Sequence, residues 1–169
     1  MAEIKESIEN AVRYLSEHPD EARYTDSYAR ATLGENLRVE VEGPGGERLV
    51  TDMPESIGGR GEQPSAGWLY RAAIASCAAS TVGMEAALEG VTLRSLEVEV
   101  DSESDDRGIL GMDHSVPAGP LSARVRVRAA SEGVDAGRLR ELLERGARRC
   151  PVYDATNRAV ELALEIETA

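Results

Sequence analysis

The chain has 169 residues, 41% of them apolar and 30% charged, a balance that excludes a disordered segment and suits one folded domain with one core. Its formal net charge of -12 repels phosphate backbones and anionic lipid, which argues against nucleic acid and membrane surfaces as partners. With one Trp, five Tyr and no Phe, the core must be built mainly from Ala, Leu, Val and Ile.

The chain opens on MAEIKESIENAVRYLSEH, which lacks the basic and then apolar pattern of a leader peptide. Residues 3–16 instead predict an amphipathic helix with Ile4, Ile8, Val12 and Leu15 on one side. Residues 28–52 predict short strands: Leu37, Val39 and Val41 alternate with Arg38, Glu40 and Glu42, and Gly43, Pro44, Gly45 and Gly46 form a turn signal. Residues 54–67 hold four glycines and two prolines and read as a loop.

Residues 66–88 form the longest helical candidate, rich in Ala and apolar nearly all round, as expected of a buried helix. Its uncharged run, residues 72–84, is too short to span a bilayer. The expected location is cytoplasmic. Leu96, Val98 and Val100 then alternate with Glu97, Glu99 and Asp101, while Ala123, Val125 and Val127 alternate with Arg124, Arg126 and Arg128. Opposite charges on the two polar faces predict that these strands are neighbours. Residues 135–149 predict a second amphipathic helix with Asp135 as N-cap. Val160, Leu162, Leu164 and Ile166 alternate with mostly acidic neighbours and predict a last strand. Strand blocks separated by two core helices give an α+β class.

Cys77 and Cys150 are 73 positions apart and make neither a CxxC nor a zinc-like cluster. His18 and His114 are isolated in polar surroundings and read as surface residues. Asp101, Glu103 and Asp105 alternate like a calcium loop but lack the glycine and terminal glutamate spacing of an EF-hand. Neither a metal site nor a cofactor is expected. Both cysteines fit a bland reading as small buried hydrophobes and a sharper one as a redox pair. If the second helix persisted, Leu139 and Leu143 would share a line with Cys150 and turn its sulfur inward. Pro151 suits the first position of a new helix, whose unpaired amides would favour a thiolate at Cys150.

Two stretches resemble a known family. PSAGWLYRAAIASCAAST, residues 64–81, is similar to the proline-led, alanine-rich helix that carries the first cysteine of OsmC/Ohr proteins, and CPVYDATNR, residues 150–158, resembles their second cysteine segment. The order of elements agrees from residue 28 to the C-terminus. The chain is thus expected to be a single OsmC-like domain over residues 1–169, residues 1–20 being an added helix. The resemblance implies antiparallel sheets around two central helices in an intertwined homodimer. It implies a thiol peroxidase acting on organic hydroperoxides, with Cys77 peroxidatic, Cys150 resolving, a disulfide between them, and a dithiol reductant, lipoyl-type in one version.

The family's activating pair is an arginine from the N-terminal strands and a glutamate early on the cysteine helix. Here Gly67 stands at the glutamate position and Glu35 at the arginine position, with Arg30 and Arg38 nearby. Candidates for a rebuilt pair are Arg60 with Glu62, or Arg107 with Asp105 and Asp106. Arg71 lies ~120° around the helix from Cys77. The alternative function is a non-catalytic OsmC-fold protein that binds a small apolar ligand and keeps two buried thiols.

Overall fold

The computed structural model describes residues 2–158 and 160–168. The chain forms two compact units, one of residues 9–72 and one of residues 1–8 with 73–169.

A 16-residue helix, α1 (Ala2–Glu17), opens the chain and buries no residue. Its apolar side is there as expected, yet Ile4, Val12 and Leu15 stay 41–60% exposed. Past its end His18 accounts for itself locally: its ring stacks on Tyr14 at 4.3 Å and its Nδ1 lies 2.9 Å from the Tyr14 carbonyl.

In the unit of residues 9–72, β1 (Arg30–Leu33), β2 (Val39–Glu42) and β3 (Arg48–Thr51) form one antiparallel sheet in that order. Leu37, expected in the strand alternation, sits instead in the β1–β2 turn, where Asn36 and Leu37 take φ of 51° and 61°. Asparagine tolerates that region; a leucine there is strained and must be held by its surroundings. The 43–46 turn closes as the glycines predict, with Gly43 N–H donating to the Glu47 carbonyl at 3.0 Å.

Within the other unit, β4 (Leu93–Glu103) and β5 (Ser122–Ser131) pair antiparallel. Their opposed charges meet as predicted: Glu97 faces Arg128, Glu99 faces Arg126 and Asp101 faces Arg124, with ion pairs of 2.5, 2.6 and 2.9 Å. Each is exposed and contributes little alone. The inner side of β4 gives Leu93 and Leu96 to a core of Val82, Ala86, Val91 and Leu142.

That core lies between two helices, α2 (Ala66–Leu88) and α4 (Ala136–Arg148). Before α4 comes a one-turn helix, α3 (Asp106–Ile109), and after it α5 (Pro151–Asn157). Asp135 caps α4 by accepting from Arg138 N–H at 3.0 Å. Only one face of α2 is buried, through Ile74, Ala78, Val82 and Ala86, while Trp68 and Met84 remain 51% and 39% exposed. A helix apolar all round can bury no more than its own chain covers. The expected last strand does not form: residues 160–168 lie outside any helix or strand. A strand exists through its ladder partner, and here Leu162, Leu164 and Ile166 are 76–89% exposed with none.

Candidate functional site

Cys77 stands on α2 and is half-buried; Cys150 is fully buried. Both are free thiols, and Cys77 lies close enough to Cys150 to act on the acidity of its thiol. The two residues that the resemblance pairs are therefore brought together. Helix α4 stops at Arg148, with Arg149 as its C-cap, and Cys150 is the N-cap of α5. Its N–H donates to the Ala147 carbonyl at 3.2 Å, and its sulfur accepts from Tyr153 N–H at 3.3 Å.

Pro151 opens α5 as expected, but the helix start does not set the thiol's acidity. Burial pushes the Cys150 thiol up, the Cys77 sulfur beside it adds to the rise, and the Tyr153 amide only partly opposes them. Cys150 is thus poised as a protonated thiol.

The α2–α4 crossing that creates this meeting has two features. Gly146 is buried, and a Cβ on it would stand 2.6 Å from the Val82 Cα, backbone against backbone. Four residues on, Cys150 meets Cys77, five residues back along α2, so the helices run in opposite senses there. The second feature is Glu85, whose side chain is 11% exposed. Its carboxylate accepts from Arg145 Nε at 2.9 Å and from Arg149 Nη1 at 2.8 Å, while Arg145 also reaches Glu89. Burial favours the neutral acid, but Arg145 and Arg149 outweigh it and hold the carboxyl below its ordinary value. Sequence reading missed this residue. Its signal was there: no other charge stands between Arg71 and Leu88, and a lone carboxylate in an apolar helix needs a buried partner.

The candidate activating charges divide. Arg107 grips Asp105 with three side-chain bonds, Nε to Oδ1 at 3.0 Å and to Oδ2 at 3.1 Å, and Nη2 to Oδ2 at 2.6 Å. Asp105 also N-caps α3, and its carboxyl is lowered to about 2, by the Arg107 side chain first. That pair satisfies itself, and Asp106 opens α3. Arg60 and Glu62 act first through their backbone: their N–H groups donate to the buried Asp52 carboxylate at 3.3 and 3.2 Å, beside Met53 N–H at 2.7 Å. Burial would raise the Asp52 carboxyl, yet these amides and the charge of Arg38 hold it below its ordinary value. Gly59 lets this loop fold back, since a Cβ there would strike the Met53 carbonyl. Arg38, Arg60, Glu35, Glu40 and Glu62 line a cavity of about 340 Å³ in this unit. Arg60's guanidinium has no carboxylate partner among the described residues. His114 is exposed.

Among the described residues no group of three His, Cys, Asp or Glu side chains is placed to hold a metal ion, and no helix is long and apolar enough to cross a membrane.

Several carboxylates carry depressed values, so the stability each lends is present above its unfolded value and lost as pH falls through the folded one. Thermal melts between pH 7 and pH 2 are expected to hold their midpoint to about pH 5 and fall below it. Glu85→Gln is expected to cost about 1–3 kcal/mol at neutral pH and to make the acid slope shallower.

A family model described as OsmC-like protein matches residues 59–165. No curated protein matches the sequence. The fold is similar to an OsmC-like protein from Mycoplasma pneumoniae, at 13% identity and TM-score 0.68, covering 81% of this chain and 91% of that one. It is also similar to an organic hydroperoxide resistance protein OsmC from Legionella pneumophila, at 21% identity and TM-score 0.58, covering 79% and 90%. A third, an organic hydroperoxide resistance protein from Elizabethkingia anophelis, shares 19% identity at TM-score 0.60 over 82% and 93%.

Proposed function

We propose, given that the chain belongs to the OsmC-like protein family, that it is a thiol peroxidase reducing organic hydroperoxides through Cys77 and Cys150. The observation that carries this reading is the placement of the chain's two thiols near each other, one half-buried and one sealed. The names of two similar structures support the substrate class.

The half-buried Cys77 thiolate attacks the terminal oxygen of the hydroperoxide. An S–O bond forms, the O–O bond breaks, and the alkoxide leaves and takes up a proton as the alcohol, giving a Cys77 sulfenic acid. Cys150 then attacks that sulfur: the S–S bond forms, the S–O bond breaks, and hydroxide leaves with the Cys150 proton as water. A dithiol reductant, lipoyl-type being one form, returns both thiols and becomes a disulfide itself. Of the candidate activating cations, Arg107 has its charge occupied by Asp105.

A homodimer belongs to the same proposal. The bare face of α2 around Trp68 and Met84 and the exposed apolar residues of 160–168 are surfaces that a second copy would cover.

The test is free-thiol counting by mass spectrometry before and after one equivalent of cumene hydroperoxide, on wild type and Cys77→Ser. The expected result is rapid loss of both thiols as an intramolecular disulfide, abolished by the substitution. Two thiols that survive the peroxide would overturn the reading in favour of an OsmC-fold protein that binds without catalysing.

A further inference from the structure

We propose that Glu85 is the positioning residue for the resolving thiol: through Arg149 it sets the approach of Cys150 to Cys77 and so governs how fast the disulfide closes. This rests on the peroxidase reading for its role in turnover, while the geometry it concerns is independent of peroxide.

A carboxylate on the buried face of α2 is costly unless both oxygens are engaged. Glu85 engages them with two different arginines, Oε1 with Arg145 and Oε2 with Arg149. Arg145 lies in the last turn of α4, and Arg149 is its C-cap and the covalent neighbour of Cys150. The bonds inside the α4–α5 turn, Arg149 N–H to Arg145 O and Cys150 N–H to Ala147 O, fix the shape of the turn. They do not fix its distance from α2. Beside the Gly146–Val82 packing, Glu85 supplies the polar tie of the turn itself, eight residues along the same helix from Cys77. Disulfide closure needs the two Cβ atoms within about 3.5–4.5 Å of each other, so a small drift of the turn is enough to slow it.

The test follows two oxidations of the full chain. In the first, cumene hydroperoxide is added, the Cys77 sulfenic acid is trapped with dimedone, and the disulfide is read by alkylation and mass. In the second, diamide drives closure without peroxide. Glu85→Gln and Arg149→Ala are expected to form sulfenic acid at the wild-type rate but to close roughly ten- to a hundredfold more slowly, with slower closure under diamide as well. Arg149 uses a single bond to Glu85, which lysine can reproduce, so Arg149→Lys is expected to restore closure. Arg126→Ala, which weakens the β4–β5 ladder elsewhere, is expected to close normally and controls for lost stability.

Closure at the wild-type rate in both Glu85→Gln and Arg149→Ala would overturn the proposal, as would equal slowing in Arg126→Ala. Should Glu85→Gln fail to fold, the exposed Arg149 variants carry the decision. A wild-type chain that forms no sulfenic acid sinks the peroxidase reading alone, and the diamide arm still decides on Glu85.

Discussion

Gly146→Ala is expected to lower the melting midpoint by about 4–8 °C, corresponding to a net cost of about 2 kcal/mol in a chain of this size. Two effects compete. Alanine within a helix gains about 1 kcal/mol over glycine, which would favour the variant. Against this, the new methyl would stand 2.6 Å from the Val82 Cα and 3.1 Å from the Val82 nitrogen. These are backbone atoms of α2, so no rotamer change relieves the overlap, and α4 must move off by about an ångström. That movement unpacks Leu142, which is fully buried beside Val82 and Ala86. Packing therefore outweighs propensity. The same displacement draws Cys150 away from Cys77, so disulfide closure is expected to slow together with the loss in midpoint. A melt unchanged or raised in this variant would show that the crossing is looser than described.

Cys150→Ser and Cys77→Ser are expected to fail in different ways. Serine is a preferred N-cap residue and can accept from Tyr153 N–H as the sulfur does, so Cys150→Ser should fold with α5 intact. It keeps the attacking thiol and loses the resolving one. A single burst of one equivalent of alcohol per chain is expected, followed by a persistent Cys77 sulfenic acid and a steady-state rate down by a hundredfold or more, about 3 kcal/mol in the barrier. Cys77→Ser should give no burst, leaving only the uncatalysed background. Since the Cys150 thiol is pushed up by burial, closure in the wild type should quicken as pH rises. Quenched-flow assay of the alcohol with dimedone labelling separates these outcomes. Equal bursts in the two variants would remove the assigned order of the cysteines.

Much of this architecture was legible because its signals are local. Opposite charges alternating on two strands place Glu97, Glu99 and Asp101 against Arg128, Arg126 and Arg124, and Asp135 marks the start of α4. What stayed hidden depends on where elements stop and what they lie against. The end of the second helix and the new start at Pro151 were legible, but nothing in either showed that the turn carrying Cys150 would lie against α2. The meeting of the thiols came from family resemblance, since nothing in the spacing of positions 77 and 150 requires it. Glu85 stood out in composition, but its partners are two of the five arginines at 138, 140, 145, 148 and 149, and only the helix crossing selects them. The last strand was misjudged for a different reason: alternation describes the faces a strand would have and says nothing of whether its neighbour belongs to the same chain.

That unpaired segment has a consequence for how the protein behaves at high concentration. An exposed run with Leu162, Leu164 and Ile166 on every second position has the makings of a cross-β stack. Its intervening residues include Glu161, Glu165 and Glu167. Stacked in parallel and in register, copies would place each of these carboxylates over its own image at a spacing of about 4.8 Å. Such columns of like charge repel, and acidic gatekeepers of this kind penalise fibril growth while leaving the apolar edge open to a differently charged neighbour. The tail is thereby kept adhesive toward another surface and averse to its own repeat, a safeguard that salt weakens by screening.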